Sequence, residues 1–191
     1  MPGKQTEEQT NRKREHVIAA ASAVFLRYGR VKTTMNDIAA EAGVSRPALY
    51  LIFPQKDEIF ALVIDRLLDE KLAEWRKALP KMRSLDRKLH YCCEQWAGEG
   101  YDLTKAHPDA RDMFDLSIPP VRAMYKRLEH FLAELIRPTL ASSRLRTEPE
   151  ELARVLIFGM RGFKDIVLDA RHMRSLIALQ VEVVLKAMKA S

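Results

Sequence analysis

Apolar residues recur every three or four positions along most of the chain, which is the spacing that an α-helix produces. The first such stretch covers about residues 10–28, with apolar positions from Val17 to Tyr28, and it ends at Gly29. Residues 1–8 are polar, so we expect them to be disordered when the protein is free. The pattern predicts one amphipathic helix near the start of the chain.

Two short helical stretches follow, and Gly43 separates them. Thr34 precedes the first, where its hydroxyl can accept a hydrogen bond from a first-turn amide. Asp37, three residues later, can bond to the backbone of Thr34 in return and so complete a capping box. Because helices commonly end in a left-handed glycine, we expect the first short helix to stop at Gly43.

The second short helix has its own capping signals. Ser45 stands at the capping position, and Pro47 falls in the first turn, where its missing amide hydrogen breaks no helical bond. Leu49 and Phe53 are four residues apart and are predicted to face the core. The residues predicted to point away from that core are Arg46, Pro47, Tyr50 and Ile52.

Two helices joined by a short glycine turn form a helix-turn-helix, here over residues 34–53. In that motif the second helix lies in the major groove of DNA. Arg46 is the candidate reader of guanine, and Tyr50 is a candidate contact to a phosphate or to a thymine methyl group. Thr34 and Ser45 are candidate phosphate contacts in addition to their capping roles.

A long helix is predicted from about Lys56 to Leu79, and Pro80 ends it. An exposed lysine at a helix N-terminus opposes the helix dipole at a cost of about 0.3–1 kcal/mol. A phosphate bound there would reverse that sign, so Lys56 is predicted to contact the DNA backbone. The candidate DNA-binding residues are therefore Thr34, Ser45, Arg46, Pro47, Tyr50 and Lys56.

The remainder of the chain also has a helical period. Gly159 and Gly162 each cost about 1 kcal/mol relative to alanine inside a helix, which indicates that another helix approaches closely. A capping box over residues 147–150 begins the helix that contains them. The last helix is apolar on more than one side, which indicates a partner as well as a core. The predicted helices cover about residues 84–105, 108–115, 119–140, 148–169 and 171–189, with prolines 108, 119, 120, 138 and 149 between or near them.

The residues from Val17 to about Ile64 resemble the TetR family of transcriptional repressors. They share its threonine-capped helix, its A-x-x-A-G-V-S turn, its short helix with L-Y and F, and the lysine that follows. Two residues depart from the family pattern. Glycine or alanine is common at the position of Pro47, and tyrosine or histidine is common at the position of Ile52. The resemblance implies an all-α fold of about nine helices.

Two domains are implied by this resemblance. Residues 10–71 would form a three-helix DNA-binding domain with the helix-turn-helix, and residues 72–191 a helical ligand-binding and dimerisation domain. The expected partners are double-stranded DNA with a palindromic operator, a second copy of the chain paired through the last two helices, and an unknown small-molecule inducer. Inducer binding would favour a dimer whose recognition helices are too far apart for the operator, with the helix at 56–79 as the lever.

Aromatic residues and methionines in the second half offer surface for a largely apolar inducer. Each of them taken singly is more often a core residue than a ligand contact. The candidate pocket residues are Tyr91, Trp96, Phe114, Met124, Tyr125 and Phe158.

The 191-residue chain carries a net charge of +6. Up to Lys56 there are nine basic and five acidic residues, so 9 − 5 places +4 there and leaves +2 for the longer remainder. That concentration of positive charge suits a polyanionic partner. The basic run at residues 12–14 fits either a solvated face or a phosphate contact. Neither a membrane span of ~18 apolar residues nor a signal peptide is evident, so we expect a cytoplasmic, nucleoid-associated protein.

Other functional classes have weaker support in the sequence. Common catalytic motifs are missing, so we expect no catalytic residue, no metal and no cofactor. Cys92 and Cys93 beside His90 are a weak signal for a metal or oxidation sensor, and we interpret both thiols as reduced. A helical protein-interaction module without DNA binding remains the alternative function. A solvated face is the interpretation favoured for the acidic repeat Asp109, Asp112 and Asp115.

Overall fold

A computed structural model describes residues 2–189 of the chain, with side chains from Glu8 onward. That part contains nine α-helices and no strand, as predicted. Two 3₁₀ segments, Leu79–Lys81 and Pro108–Phe114, and a π-helical segment, Glu94–Gly98, lie between α-helices. The α-helices are α1 Pro2–Lys32, α2 Met35–Glu41, α3 Arg46–Ile52, α4 Lys56–Ala78, α5 Leu85–Cys93, α6 Glu99–Ala106, α7 Pro119–Ala141, α8 Pro149–Phe163 and α9 Ala170–Lys189.

Helix α1 begins earlier than predicted but ends its regular part where predicted. It starts at Pro2 instead of near residue 10, so the expectation of disorder over residues 1–8 is wrong for the described residues 2–8. The sequence from Lys4 onward has strong helix formers and no proline or glycine before Gly29. At Gly29 the backbone leaves the helical region, with φ at +73°.

The described chain folds into two compact units. The first consists of α1–α3, α4 as far as Asp69, and the segment His107–Arg122. The second consists of Glu70–Ala106 and the chain from Ala123 onward. The units therefore part close to the predicted boundary at 71/72, but His107–Arg122 belongs to the first unit by its contacts. The assignment of separate DNA-binding and ligand-binding domains stays a prediction.

The core of the first unit lies between α1, α2, α3 and the first half of α4. Phe25 of α1 and Phe60 of α4 meet edge to face, with 5.3 Å between ring centroids and an interplanar angle of 82°. Leu49 and Phe53 are fully buried, which confirms the inward face predicted for α3. Burial of these large side chains fixes the helix-turn-helix against α1 and α4.

Asp112 refutes the interpretation of the acidic repeat as a solvated face. Its two carboxylate oxygens accept hydrogen bonds from the backbone amides of Arg30 and Val31, at 2.8 and 2.7 Å. Asp109 pairs with Lys32 at 2.8 Å. The carbonyl of Asp109 also lies 2.1 Å from where a Cβ on Gly29 would sit, so only glycine fits there. The sequence spacing did not reveal this contact because its partners are about 80 residues apart.

The second unit contains the remaining helices, and two local predictions there need correction. The helix expected over 84–105 is divided into α5, the π-helical segment and α6. Glu148, not Thr147, is the N-cap of α8 and makes no side-chain cap bond, so the predicted capping box is absent. The helix expected over 119–140 matches α7, which continues through Pro138 to Ala141.

Helix α8 ends at Phe163, six residues before its predicted end, and its two internal glycines differ. A Cβ on Gly159 would lie 2.0 Å from the side-chain nitrogen Nε2 of Gln180 in α9, which confirms the predicted close approach. That nitrogen donates to the carbonyl of Val155 at 2.7 Å. A Cβ on Gly162 would meet nothing within 4 Å, so close packing does not explain that residue.

None of the helices in the described part of the chain combines the length and the hydropathy that crossing a bilayer requires.

Candidate nucleic-acid interface and effector region

The turn between α2 and α3 is closed by two backbone hydrogen bonds. The amide of Gly43 donates to the carbonyl of Ala40 at 3.1 Å, and the amide of Val44 donates to the carbonyl of Ala39 at 3.0 Å. This pair of bonds is a Schellman motif, which requires a left-handed residue at Gly43. Its φ is +62°, as the sequence predicts. The motif fixes the angle at which α3 leaves α2.

Both predicted caps are present in the helix-turn-helix. Thr34 accepts from the amide of Asp37 at 3.2 Å, and the Asp37 carboxylate accepts from the Thr34 amide at 2.8 Å. Hydrogen bonds from the side chain and then the backbone of Thr34 lower the pKa of Asp37. Ser45 accepts from the amide of Ala48 at 3.3 Å. Since the Thr34 hydroxyl also donates to Asp37 at 2.7 Å, a phosphate would have to compete for that hydrogen.

Helix α3 presents Arg46, Pro47 and Tyr50 to solvent, as predicted. The guanidinium of Arg46 lies 5.5 Å from the ring centroid of Tyr50, one helical turn later. This cation–π contact restricts where the arginine can point. The pair is suited to reach a base edge.

Leu51 is a surface residue that the sequence reasoning missed. Its side chain is 89% exposed, whereas Leu49, two positions earlier, is fully buried. A signal was available, because two positions along a helix correspond to about 200° of rotation. Leu51 therefore had to face away from the core that Leu49 enters.

Lys56 is engaged within the first unit. Its ammonium donates to the backbone carbonyls of Arg30 and Thr33, each at 2.7 Å. Two of its three hydrogens thus tie the end of α1 to the start of α4. A phosphate contact through the remaining hydrogen stays a prediction. These two carbonyl acceptors offset the unfavourable dipole interaction at the start of α4.

Arg14 supports α3 from the side of α1. Its guanidinium donates to the carbonyl of Ile52 at 3.0 Å, lies 4.3 Å from the ring centroid of Phe53, and pairs with Glu58 at 3.3 Å. Ile52 is therefore held through its carbonyl at the C-terminus of α3. The sequence offered two interpretations of the basic run at 12–14, a solvated face or a phosphate contact. Arg14 fits neither, because it contacts α3 and α4 within the protein.

Three of the six predicted pocket residues form an aromatic cluster in the second unit. The Trp96 and Tyr125 rings meet edge to face with centroids 6.0 Å apart, and Tyr125 stacks on Phe158 at 5.9 Å. The guanidinium of Arg161 lies 5.7 Å from the Tyr125 centroid. This cluster offers an apolar surface with one cation beside it.

The other three predicted pocket residues lie outside that cluster. Met124 is buried beside Tyr125 in sequence. The Tyr91 hydroxyl donates to Glu74 at 3.1 Å. Phe114 belongs to the first unit. The six candidates were chosen for their residue types alone, and side-chain packing brings only three of them together.

An open groove of about 740 Å³ lies between α4 and α7 in the second unit. Its floor is apolar, and basic side chains stand on its rim. Sequence composition did not identify this groove because its residues alternate with core positions on both helices. It is lined by Leu72, Arg76, Ala123, Lys126, Arg127, His130, Phe131, Glu134 and Leu135.

The two cysteines are buried thiols rather than exposed sensors. Burial raises the pKa of Cys92 to about 12 and raises the pKa of Cys93 as well. Both are free of disulfides. Since the thiolate is the reactive form, these residues are poorly suited to oxidation or metal binding at neutral pH.

Among the described residues, His130, Glu134 and Glu150 place potential metal-ligand atoms within 4.8 Å of one another. Arg137 bonds the same two carboxylates, at 3.0 Å to Glu134 and 2.7 Å to Glu150. A cation at this position would therefore have to compete with the guanidinium of Arg137 for both carboxylates.

Helices α8 and α9 carry exposed apolar side chains beside their buried faces. Val155 and Phe158 of α8 are 55% and 38% exposed, and Leu179 and Val183 of α9 are 55% and 57% exposed. Residues three or four apart share one side of a helix, so each pair forms a stripe. We call these four residues the α8–α9 patch.

Comparisons with known proteins agree with the geometry of the first unit. Residues 17–63 match the family described as "Bacterial regulatory proteins, tetR family". YfiR of Bacillus subtilis, described as an uncharacterized HTH-type transcriptional regulator, is 32% identical over 125 residues, which is 65% of this chain and 55% of that protein. A probable acrEF/envCD operon repressor of Escherichia coli K12 is 40% identical over 57 residues, 30% of this chain and 26% of that protein.

The chain thus spans about half the length of the first of these relatives and about a quarter of the second. A solved structure of Thermus thermophilus FadR, described as a TetR-family transcriptional repressor in complex with lauroyl-CoA, is similar over 92% of this chain and 96% of that one. The TM-score is 0.65 and the sequence identity 21%, so the likeness is one of fold.

Proposed function

We propose that this chain, whose residues 17–63 match the tetR family, is a ligand-responsive transcriptional regulator, and most simply a repressor. The observation that supports this best is α3, which is held at a fixed angle by the turn at Gly43 and presents Arg46 outward. A short exposed helix in this arrangement can enter the major groove. We place the protein in the cytoplasm with the nucleoid.

The operator is proposed to be a palindrome bound by a homodimer. One seven-residue helix reads too few bases to find a genomic site, whereas a two-fold dimer places two such helices ~34–36 Å apart in successive major grooves. The α8–α9 patch supplies an apolar surface for pairing with a second copy. Arg46 would read guanine, Tyr50 would support it or contact the backbone, and Pro47 would pack against the groove.

The inducer is proposed to be a small, largely apolar molecule bound in the second unit. The cluster of Trp96, Tyr125 and Phe158 supports this class of ligand. The lauroyl-CoA in the Thermus thermophilus structure is consistent with it, since that ligand has a long apolar chain. Helix α4 contributes residues to both units and is the proposed route by which inducer binding releases DNA.

The alternative function, a protein-interaction module without DNA binding, is not favoured. The match over residues 17–63 covers the whole helix-turn-helix, and its caps and its turn are intact. Arg46 is also exposed to solvent beside Tyr50, where it could reach DNA.

Selection of sequences from a pool of random duplexes would test the function directly. The wild type should enrich a palindrome and bind it with an affinity that falls steeply as salt is raised. Arg46→Ala should lose about 1–3 kcal/mol of specific binding free energy and relax the preference at one base step. The control Arg83→Ala removes the same charge from the second unit and should bind normally. Equal affinity and equal preference in Arg46→Ala would show that another residue reads the base.

A further inference from the structure

Apart from Arg46 and the hydroxyl of Tyr50, the outward side chains of α3 are apolar. We propose that one of them, Leu51, reads the methyl group of a thymine in the operator. Each half-site would then combine a guanine bound by Arg46 with a thymine bound by Leu51. This inference rests on the proposed function and names a feature of the DNA sequence that the protein selects.

The exposure of Leu51 is the starting point. It is 89% exposed on a helix whose inward residues, Leu49 and Phe53, are fully buried. A single exposed leucine is common on protein surfaces and carries no argument by itself. Its position is what matters here, because Leu51 lies one turn after Pro47 and next to Tyr50, on the outward side of the helix proposed to enter the major groove.

The chemistry of α3 limits what this surface can recognise. Its sequence, RPALYLI, has a single charged residue, Arg46. The Tyr50 ring lies under the guanidinium of Arg46, with 5.5 Å between the guanidinium carbon and the ring centroid, which suits Tyr50 to positioning the arginine. The outward side chains that remain, Pro47 and Leu51, have no hydrogen-bonding group, so they cannot bond to a base edge.

The thymine methyl is the apolar group that the major groove displays. Adenine, guanine and cytosine present hydrogen-bond donors or acceptors there, whereas thymine adds a C5-methyl to its O4 acceptor. Burying that methyl against Leu51 removes apolar surface of both partners from water. A leucine at this position therefore favours thymine over cytosine without any hydrogen bond.

Replacing thymine by deoxyuridine tests the proposal, because only the methyl group is removed. The palindrome selected by the wild type would be made with deoxyuridine at one symmetric pair of thymine positions at a time. At one pair, wild-type affinity should fall about fourfold for each half-site, the value expected for one buried carbon. Leu51→Ala should bind the unmodified palindrome more weakly and show no further loss on that replacement.

Two further variants serve as controls for the contact between Leu51 and the methyl group. Leu51→Met keeps a flexible apolar side chain and should retain the sensitivity to deoxyuridine. Val31→Ala removes another largely exposed apolar side chain, 73% exposed and outside α3, and should behave as the wild type. The proposal is overturned if every deoxyuridine pair lowers the affinity of the wild type and of Leu51→Ala by the same factor. It is also overturned if no pair lowers the affinity of the wild type. Should the wild type enrich no sequence at all, the proposed function fails together with this inference.

Discussion

At the scale of single residues, Lys56 shows why a correctly chosen position can have a different role from the one its sequence context indicates. In the sequence, Lys56 stands at the start of a helix, where its ammonium lies beside free backbone amides, and that combination predicts a bound phosphate. The structure gives that ammonium two carbonyl acceptors, from Arg30 and Thr33. Those acceptors lie 26 and 23 residues earlier, so local pattern could not identify them.

Lys56→Ala should therefore affect stability as well as DNA binding. Removing the ammonium leaves two partly buried carbonyls without a donor, and we expect the free energy of unfolding to fall by about 2 kcal/mol. Urea denaturation measures this directly, and Lys77→Ala, at an exposed position of α4, is the control. A Lys56→Ala protein of unchanged stability that binds all DNA sequences more weakly would return Lys56 to a purely DNA-contacting role.

Lys164 is expected to make stability depend on pH. Burial, assisted by the charge of Arg161, lowers its pKa from 10.5 to about 8 in the folded protein. Between these values the unfolded chain binds more protons, so this residue's contribution to stability rises with pH across that window. Lys164→Met should abolish that rise.

The measurement is the free energy of unfolding of both proteins at several values between about pH 8 and pH 10. Burial raises the pKa of the cysteine thiols, which lowers stability with rising pH, but it does so equally in both proteins. The difference between the wild type and the variant therefore isolates the lysine. A difference that stays constant with pH would contradict this interpretation.

At the scale of elements, local signals predicted helix ends well wherever the partner of an end group was also local. The caps Thr34 and Ser45 and the left-handed Gly43 were all identified because their bonds close within five residues. Thr147 was misjudged as a cap because its hydroxyl instead donates to the carboxylate of Glu151. The sequence also could not show that the end of α1 is stabilised by Asp112, from a distant segment.

We predict that Asp112→Asn destabilises the first unit by about 1–2 kcal/mol. Its carboxylate accepts from two adjacent amides, whereas an asparagine would direct an NH₂ group toward one of them. Amide hydrogen exchange should show faster exchange at Arg30 and Val31. Asp86→Asn, in the first turn of α5, is the matched control. Unchanged protection of both amides would exclude the carboxylate as the element that holds the end of α1.

At the scale of the whole molecule, the all-α class and the helix order followed from periodicity, but the grouping of segments did not. Periodicity identifies which side of a helix is buried and says nothing about which distant segment covers it. Chain order puts His107–Arg122 in the expected second domain, after α6, whereas its contacts put it in the first unit. The candidate pocket was incomplete for the same reason, since composition does not tell which aromatic rings meet.

We expect the chain to be dimeric and the α8–α9 patch to be required for pairing. Leu179→Glu combined with Val183→Glu places two charges on one stripe of α9, where burial in an interface would carry a large desolvation cost. Sedimentation should show a monomer for this variant and a dimer for the wild type. Val31→Glu, at an exposed position of the first unit, should leave the dimer intact. A dimer that persists in the double variant would locate the interface elsewhere.

The assignment of His107–Arg122 to the first unit bears on how this chain could be divided into fragments. A fragment cut after α4 would include Arg30 and Val31 but would lack the Asp112 carboxylate that accepts hydrogen bonds from their amides. Grafted onto a foreign sensor, that fragment would be destabilised from the start. A chimera that also carries residues 107–122 would keep the hydrogen bonds from Arg30 and Val31 to Asp112. Such a chimera needs three crossover points, one after α4 and one at each end of residues 107–122.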